Sequence, residues 1–213
     1  MATQTNNKPT ALTVTDGEQP VGGVASEHTI PPTAILVTEK CYLRPYEVSD
    51  AEPMAEAAND PEITKYLRSR FPSPYTLADA HEFIALCRSL PAPALSFGIF
   101  TLEGEIAGSM ALEPPKGDPV YAGTRELGYY LVPKFWGRGI MSTLVREFTR
   151  WAFATVPDLL RIEAAVFEPN KGSQRVLQKA GFVKEGTRRL AVVKDGKQMS
   201  EDMFGLIRTD IEA

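Results

Sequence analysis

The sequence predicts one α/β (α+β) domain with a mixed, mainly antiparallel sheet of six to seven strands and helices on both faces. Three observations predict this fold. Strand-like apolar runs alternate with amphipathic helical segments, a two-strand hairpin precedes the middle of the chain, and a strand–helix–strand–helix order follows it. Strand–helix–strand units within an antiparallel order imply a mixed sheet that helices cover. The domain is expected to span residues 34–213, after a flexible tail over residues 1–33 that is rich in Thr, Gly, Pro and Asn.

The first half of the domain is predicted to hold a strand, three helical segments and a hairpin. The strand covers 41–46, and Ser49 or Asp50 is placed to cap a helix over 51–58. A short helical piece over 62–67 comes next. Thr76 then caps a helix over 77–90, whose Ala80, Phe83, Ile84 and Cys87 share one face. Two strand-like runs, 95–102 and 105–112, are joined by Glu103-Gly104, which favours a hairpin.

The second half is predicted to alternate strands and helices before it closes with a hairpin. A strand over 126–132 leads into a helix over 141–153, with an apolar stripe of Ile140, Leu144, Val145, Phe148 and Ala152. A strand over 161–167 follows, and Asn170 caps a helix over 171–179 that ends near Gly181. Strands are predicted over 182–184, 188–194 and 198–207, with Asp195-Gly196 as a hairpin turn.

Composition excludes several classes of protein. The 213 residues are 43% hydrophobic and 23% charged, as in ordinary globular proteins, and no apolar run approaches the roughly 20 residues that span a bilayer. The N-terminus lacks a secretory signal pattern, and Cys41 and Cys87 form no disulfide framework, so a cytoplasmic location is expected. Neither His28 nor His81 has a second ligand at metal spacing, and no dense Lys/Arg cluster indicates nucleic acid. We therefore expect no metal, membrane or nucleic-acid partner.

Charge is unevenly divided along the chain. Residues 1–123 carry eight basic and sixteen acidic side chains, whereas residues 124–213 carry fifteen basic and eleven acidic ones. Two interpretations remain open: solvated faces with no further role, or a C-terminal half that holds a polyanion and an N-terminal half that attracts a cation.

A glycine-rich turn, Gly137-Arg138-Gly139, connects a predicted strand to a predicted helix. Amide groups at a helix N-terminus have no partner within the helix, so such a turn is a place to hold phosphate. A P-loop requires Gly-Lys-Ser/Thr, which Ile140 after Gly139 excludes. A dinucleotide fold requires a third glycine where Ser142 stands, although Glu163 lies at the spacing of its acidic residue. The two glycines alone also fit a plain turn that needs them for its backbone angles.

Three motifs in order make the second half resemble the GCN5-related N-acetyltransferase superfamily, in particular its branch of ribosomal-protein N-terminal acetyltransferases. The phosphate loop of that superfamily, Gln/Arg-x-x-Gly-x-Gly/Ala, is similar to the run from Lys134 to Gly139, with Lys as a mild departure. The branch pattern Asn-x-x-Ser is similar to Asn170 to Ser173, and Lys179-Ala180-Gly181-Phe182 follows it. Leu43-Arg44-Pro45 and Asn59-Asp60-Pro61-Glu62 upstream also look like this branch. The resemblance covers roughly residues 40–208.

The resemblance implies an acyl-CoA N-acyltransferase fold with acetyl-CoA as co-substrate. The pyrophosphate of acetyl-CoA would lie on the amides of residues 137–141, and the pantetheine arm would pair with the free edge of the strand before Pro133. The implied cofactor-binding residues are Tyr130, Leu131, Val132, Lys134, Phe135, Trp136, Gly137, Arg138, Gly139, Ile140, Met141, Asn170 and Ser173.

The implied reaction is direct acetyl transfer to a primary amine of a protein N-terminus or a small molecule. Attack requires a neutral amine, and an α-amine with a pKa of about 8 needs less help than a lysine side chain at about 10.4. Glu126 is the first candidate for the base that accepts the proton, with Asp202 as a second, and Ser173 is the candidate acid for the leaving thiolate. The alternative is a non-catalytic acyl-CoA-binding or regulatory protein on the same fold. The protein is expected to be a monomer or a homodimer.

Overall fold

One eight-stranded sheet organises the described part of the chain. The computed structural model describes residues 29–90, 92–113 and 117–212. The strands are β1 (Leu36–Val37), β2 (Cys41–Arg44), β3 (Ser96–Thr101), β4 (Ile106–Glu113), β5 (Thr124–Leu131), β6 (Arg161–Phe167), β7 (Val183–Lys194) and β8 (Lys197–Ile207). Their order is β1-β2-β3-β4-β5-β6-β8-β7, and only β5 and β6 pair in parallel among these strands. The prediction of a mixed, mainly antiparallel sheet is confirmed.

The strand count exceeds the predicted six to seven because β1 is only two residues long, too short to show an alternating pattern. By contrast, the two runs predicted over 182–184 and 188–194 merge into the single strand β7, which removes one strand from the count. The register shifts of β7 occur between Lys184 and Gly186 and between Arg188 and Val192. The predicted tail, residues 1–33, lies outside the described residues up to position 28.

Helices cover both faces of the sheet, as predicted. They are α1 (Ala51–Ala58), α2 (Pro61–Thr64), α3 (Leu77–Ser89), α4 (Ile140–Thr155), α5 (Lys171–Lys179) and α6 (Thr209–Glu212). On one face, α1 and α3 pack in a cluster with Tyr42, Tyr46 and Phe100. On the other face, α4 and α5 bury their apolar sides in the larger cluster around Leu127, Ile162 and Phe204. The faces are called the α1/α3 face and the α4/α5 face below.

Helix patterning explains why these segments fold where they do. Every residue of the predicted α4 stripe is buried. Thr76 caps α3 by accepting the amide of Asp79, and the carboxylate of Asp79 accepts the amide of Thr76 in return. The expected cap of α1 differs: Asp50 stands at the N-cap, but its carboxylate caps no amide of α1. It binds the guanidinium of buried Arg44 through two bonds of 2.7 Å, because a buried arginine needs an anionic partner.

The feature of the sheet that positions the site is the divergence of β5 from β6. The two strands pair only where Thr124, Arg125 and Glu126 face Arg161, Ile162 and Glu163. Beyond Glu126, β5 continues to pair with β4 as far as Leu131, and β6 continues to pair with β8 as far as Phe167. The resulting gap between residues 127–131 and 164–167 is called the splay. The resemblance implied such a gap, and the structure contains it.

Candidate active site

The glycine turn lies at the N-terminus of α4, next to the end of β5. Gly137 and Gly139 have φ angles of 73° and 76°, and nothing lies within 4 Å of the position where a Cβ would stand on either. Glycine is therefore required by the left-handed backbone rather than by crowding. Gly139 is the N-cap of α4 and no side chain caps the helix there. The turn presents the first amides of a 16-residue helix to solvent, a geometry that suits an anion.

Some of the other residues in and beside this turn are buried in the core, and others are exposed to solvent. Phe135, Ile140 and Met141 are buried in the core and hold the turn against the α4/α5 face, so only their backbone can meet a ligand. Lys134 and Arg138 are exposed, and both cations lie near the ring of Phe135, at 5.2 and 5.7 Å from its centroid.

A third cation reaches the turn from the other end of the chain. Lys40, between β1 and β2, donates a hydrogen bond from its ammonium group to the carbonyl oxygen of Arg138 at 2.8 Å. Lys134 makes an ion pair with Glu105 of the β3–β4 turn. Glu105 offsets the charge of Lys134, whereas Lys40 and Arg138 add positive charge beside the N-terminus of α4, which strengthens the field that the helix dipole offers to a phosphate. No sequence pattern indicates Lys40 as part of this site, since only folding brings it there.

At the end of β5, the backbone N–H and C=O groups of successive residues point alternately toward β4 and toward the splay. The amide of Val132 donates to the Ala107 carbonyl at 2.8 Å, on the β4 side. Neighbouring residues in a strand direct their backbone groups to opposite edges. The backbone N–H and C=O of Leu131 therefore point toward the splay. The Leu131 carbonyl accepts the indole N–H of Trp136 at 2.6 Å. Tyr130 packs its ring against Phe71, and burial raises the pKa of its phenol.

The start of α5 faces β5 across the splay. Asn170 caps the helix, because its Oδ1 accepts the amide of Ser173 at 3.1 Å. The Ser173 hydroxyl lies 2.8 Å from the hydroxyl of Tyr129 on β5. The predicted capping role of Asn170 is confirmed. The contact of Tyr129 with Ser173 has no signature in the sequence.

Glu126 lies at the last parallel pair before the splay and is held by an arginine. Its carboxylate forms a two-bond ion pair with Arg68, which follows α2, and the side chain is 12% exposed. The neighbouring strand repeats the arrangement: Glu113 pairs in register with Glu126 and binds Arg70. The segment that carries these arginines is tied to the tip of the β7–β8 hairpin, where Lys194 donates to the Leu67 carbonyl at 2.6 Å.

Asp202 lies on the other face of the sheet from Glu126. Glu126 is in register with Glu163 on β6, whereas Asp202 is in register with Val166, three residues further along β6. Alternation places positions three apart on opposite faces. The Asp202 side chain is 2% exposed and accepts bonds from Thr187 at 2.6 Å and Lys184 at 2.7 Å. Burial acts to raise the pKa of Asp202, but these two bonds outweigh it and lower the pKa.

Other candidate chemistries find no support among the described residues. Cys41 and Cys87 are buried free thiols, and burial raises the pKa of each, which disfavours a thiolate nucleophile. No group of three or more His, Cys, Asp or Glu within the described ranges could hold a metal ion. No helix in the same part of the chain has the length and apolar character needed to cross a membrane.

The fold and the site define an α/β domain in which a strand diverges from its neighbour beside a helix N-terminus that no side chain caps. Residues 40–183 match the family model of the acetyltransferase (GNAT) domain, and the chain belongs to this family. The match contains the glycine turn, Glu126, Asn170 and Ser173, and ends at the first residue of β7.

Individual relatives agree with this family. The uncharacterized N-acetyltransferase p20 of Bacillus licheniformis is 31% identical over 179 residues, which cover 82% of this chain and 97% of that protein. The ribosomal-protein-S5-alanine acetyltransferase of Vibrio fischeri has the same fold, with a TM-score of 0.72, 24% identity, and coverage of 82% of this chain and 97% of that one. RimL, a ribosomal L7/L12 alpha-N-protein acetyltransferase solved with coenzyme A, gives a TM-score of 0.69 at 21% identity, with 82% and 97% covered. The chain shares its fold with these ribosomal-protein acetyltransferases.

Proposed function

We propose that this protein transfers an acetyl group from acetyl-CoA directly to a primary amine of a protein N-terminus or a small molecule. The observation that carries the proposal is the adjacency of two features: the glycine turn at α4 and the splayed edge of β5. The first suits the pyrophosphate of coenzyme A, and the second offers unpaired strand edge to its amide-bearing arm. The membership of the chain in an acetyltransferase family supports the same reaction.

In this proposal, one face of the sheet binds the acetyl donor and the other face binds the amine acceptor. The turn, Asn170 and Ser173 belong to the α4/α5 face and would hold the donor. Glu126 and Arg68 belong to the α1/α3 face, where the loop after α2 and the β7–β8 hairpin meet, and would receive the acceptor. The splay joins the faces at the last pair of β5 and β6. A thioester lying in the splay would thus meet an amine that comes from the opposite face.

The residues of the candidate site then have separate roles within the proposal. The amides of residues 137–141 hold the pyrophosphate, with Lys134 and Arg138 adding charge. Of the run from Tyr130 to Val132, Leu131 directs its backbone groups to the splay and would meet the pantetheine arm, with Trp136 beside it. Glu126 takes the proton of the attacking amine, directly or through water, and Arg68 holds that carboxylate in place through two bonds.

Asp202 has a different role in this proposal. It is buried under Lys184 and Thr187 and does not share a face with Glu126, so it stabilises the junction of β7 and β8. We place the reaction in the cytoplasm, supported by two cysteines that are both unpaired.

The test of the donor site uses three glycines with similar φ angles. Gly137→Val and Gly139→Val change residues at 73° and 76°, and Gly196→Val changes the hairpin turn at 73°, with open space at all three. The strain on the backbone is therefore matched. We expect the first two variants to lose coenzyme A binding by calorimetry, and Gly196→Val to keep it. Equal coenzyme A affinity in all three variants would overturn the assignment.

Catalysis is tested separately from binding. We expect the protein to release free thiol from acetyl-CoA when supplied with peptides that have free N-termini or with small primary amines. Tight coenzyme A binding with no thiol release across that panel would instead support the alternative, a non-catalytic acyl-CoA-binding protein. Glu126→Gln is expected to lower turnover while it leaves coenzyme A affinity unchanged.

A further inference from the structure

Tyr129 and Ser173 join the two walls of the splay. Tyr129 lies on β5, three residues beyond the last pairing with β6. Ser173 lies in the first turn of α5, directly after β6 ends. Their hydroxyl oxygens are 2.8 Å apart, so this contact bridges the gap into which the donor is proposed to enter.

The direction of this hydrogen bond follows from the available acceptors. The Tyr129 hydroxyl has one proton to donate. It lies 2.8 Å from the Ser173 Oγ but 3.5 Å from the Ser173 carbonyl oxygen, which is too far for a strong bond. Burial raises the pKa of Tyr129, so the phenol keeps its proton through the neutral range. The nearer acceptor for the Tyr129 proton is therefore the Oγ, and with Tyr129 as the donor the proton of the Ser173 hydroxyl remains available for a third group.

The backbone of Ser173 is fixed independently of its hydroxyl. The Asn170 side chain holds the Ser173 amide at 3.1 Å and thereby sets the start of α5. Among the contacts of the described residues, the Ser173 Oγ bonds to Tyr129 alone. The tyrosine thus decides where the serine hydroxyl points, and removal of either hydroxyl leaves the helix cap intact.

We propose that Tyr129 is a positioning residue: it orients the Ser173 hydroxyl to donate a hydrogen bond to the coenzyme A sulfur as the sulfur leaves. This inference rests on the proposed acetyl-CoA site. The amine nitrogen forms a bond to the thioester carbonyl carbon, and the carbon–sulfur bond breaks. The bonding electron pair stays on sulfur, which becomes a thiolate, and the proton of the amine goes to Glu126 or to water.

The pair supplies a hydrogen bond and not a transferred proton. A thiol with a pKa of about 8.5 is more acidic than a phenol at about 10, and burial raises the pKa of Tyr129 further. The protons therefore stay on the two oxygens while sulfur carries the charge. A hydrogen bond to a charged group changes a rate or a binding constant by about tenfold to about a hundredfold.

The test measures the thiol of bound coenzyme A, which avoids any need to know the acceptor. The thiolate is titrated by its ultraviolet absorbance in complexes of coenzyme A with the full chain. In the wild type, we expect the bound thiol to titrate about one pH unit or more below free coenzyme A. Ser173→Ala should remove this shift, Tyr129→Phe should reduce it, and the double variant should match Ser173→Ala. Tyr121→Phe, at an exposed site, is the control and should titrate as the wild type does.

The outcomes separate this inference from the proposed function. A wild type that does not bind coenzyme A overturns the proposed function itself. A wild type that binds coenzyme A, with the same thiol titration in Ser173→Ala and Tyr129→Phe, overturns only the inference. Losses that add in the double variant also overturn it, because they would show that Tyr129 acts independently of Ser173. Should Tyr129→Phe fail to fold, Tyr129→His, which keeps an aromatic ring but moves the polar group away from the Oγ, takes its place and should also reduce the shift. An unchanged thiol titration in either Ser173→Ala or the Tyr129 variant overturns the inference.

Discussion

Trp136 donates its indole N–H to the carbonyl oxygen of Leu131 at 2.6 Å, which ties the glycine turn to the last residue of β5. The turn would hold the pyrophosphate and the strand edge would meet the pantetheine arm. This bond therefore fixes the spacing between two parts of the same proposed donor site. The ring is 47% exposed, so it is not retained for core packing alone.

Trp136→Phe keeps an aromatic ring but removes the donor. We expect coenzyme A affinity to fall about threefold to tenfold, as for a typical lost hydrogen bond, with only a small change in stability. Calorimetric titration with coenzyme A measures the affinity, and urea unfolding measures the stability. Trp151→Phe is the matched control, because Trp151 packs against Phe97 and Phe148 in the core. It should lower stability and keep the affinity. The reverse pattern would contradict the assignment.

Arg68→Ala removes the cation that pairs with the Glu126 carboxylate. A carboxylate without that partner protonates more readily. We therefore expect the acidic limb of the pH–rate profile to move to higher pH, while coenzyme A affinity stays unchanged. Steady-state rates with a fixed amine across the pH range measure the shift. Arg70→Ala, which removes the equivalent partner of Glu113, is the control. A larger shift from Arg70→Ala would point to Glu113 as the base.

Lys194→Met removes the hydrogen bond from the hairpin tip to the Leu67 carbonyl. The acceptor is proposed to bind where this hairpin meets the segment that carries Arg68. We expect the KM for the amine to rise severalfold with an unchanged KM for acetyl-CoA. Hydrogen exchange should become faster over residues 65–71. Lys197→Met, at the other side of the same exposed turn, is the control. A rise in the KM for acetyl-CoA alone would contradict this placement of the acceptor.

Asp202→Asn is expected to affect stability rather than turnover. The pKa of Asp202 is lowered in the folded state, so its charged form contributes stability above the unfolded value of about 3.9. That contribution is lost as the pH falls through the lower folded pKa. Urea unfolding at pH 7 should show Asp202→Asn less stable by about 1–3 kcal/mol, with the difference shrinking below pH 4.

The control for Asp202 distinguishes a structural role of this carboxylate from a role in proton transfer. Lys184→Met removes one partner of the same carboxylate and should reduce stability in the same pH window. A kcat for Asp202→Asn that falls by more than about tenfold in a protein of normal stability would instead assign the carboxylate a part in proton transfer.

Local structure was largely predictable, because it depends on short-range patterns. The bounds of α1, α5 and β6 agree with the prediction to the residue. The apolar stripe of α4, the caps by Thr76 and Asn170, and the turn at Asp195-Gly196 follow from helix periodicity, side-chain acceptors and positive φ angles, which a sequence displays directly. The strand β1 and the helix α6 were missed, since elements of two and four residues carry no period.

The division of charge was a poorer guide to the site. The acidic N-terminal half supplies Lys40 to the glycine turn and Arg68 to Glu126, so cations from one half meet the site residues of the other. Net charge sums over all surfaces, whereas a site depends on the few side chains that folding places within hydrogen-bond distance.

The sequence by itself determined the fold class, the acetyltransferase family and the position of the glycine turn, because each is written in residues close together in the chain. Only the tertiary structure decided which side chains share a face. It separated Glu126 from Asp202 by the parity of the register between β6 and β8, and it joined Tyr129 to Ser173 across the splay. The physical reason is that strand register and the divergence of β5 from β6 are set by the packing of the whole sheet, which no local pattern encodes.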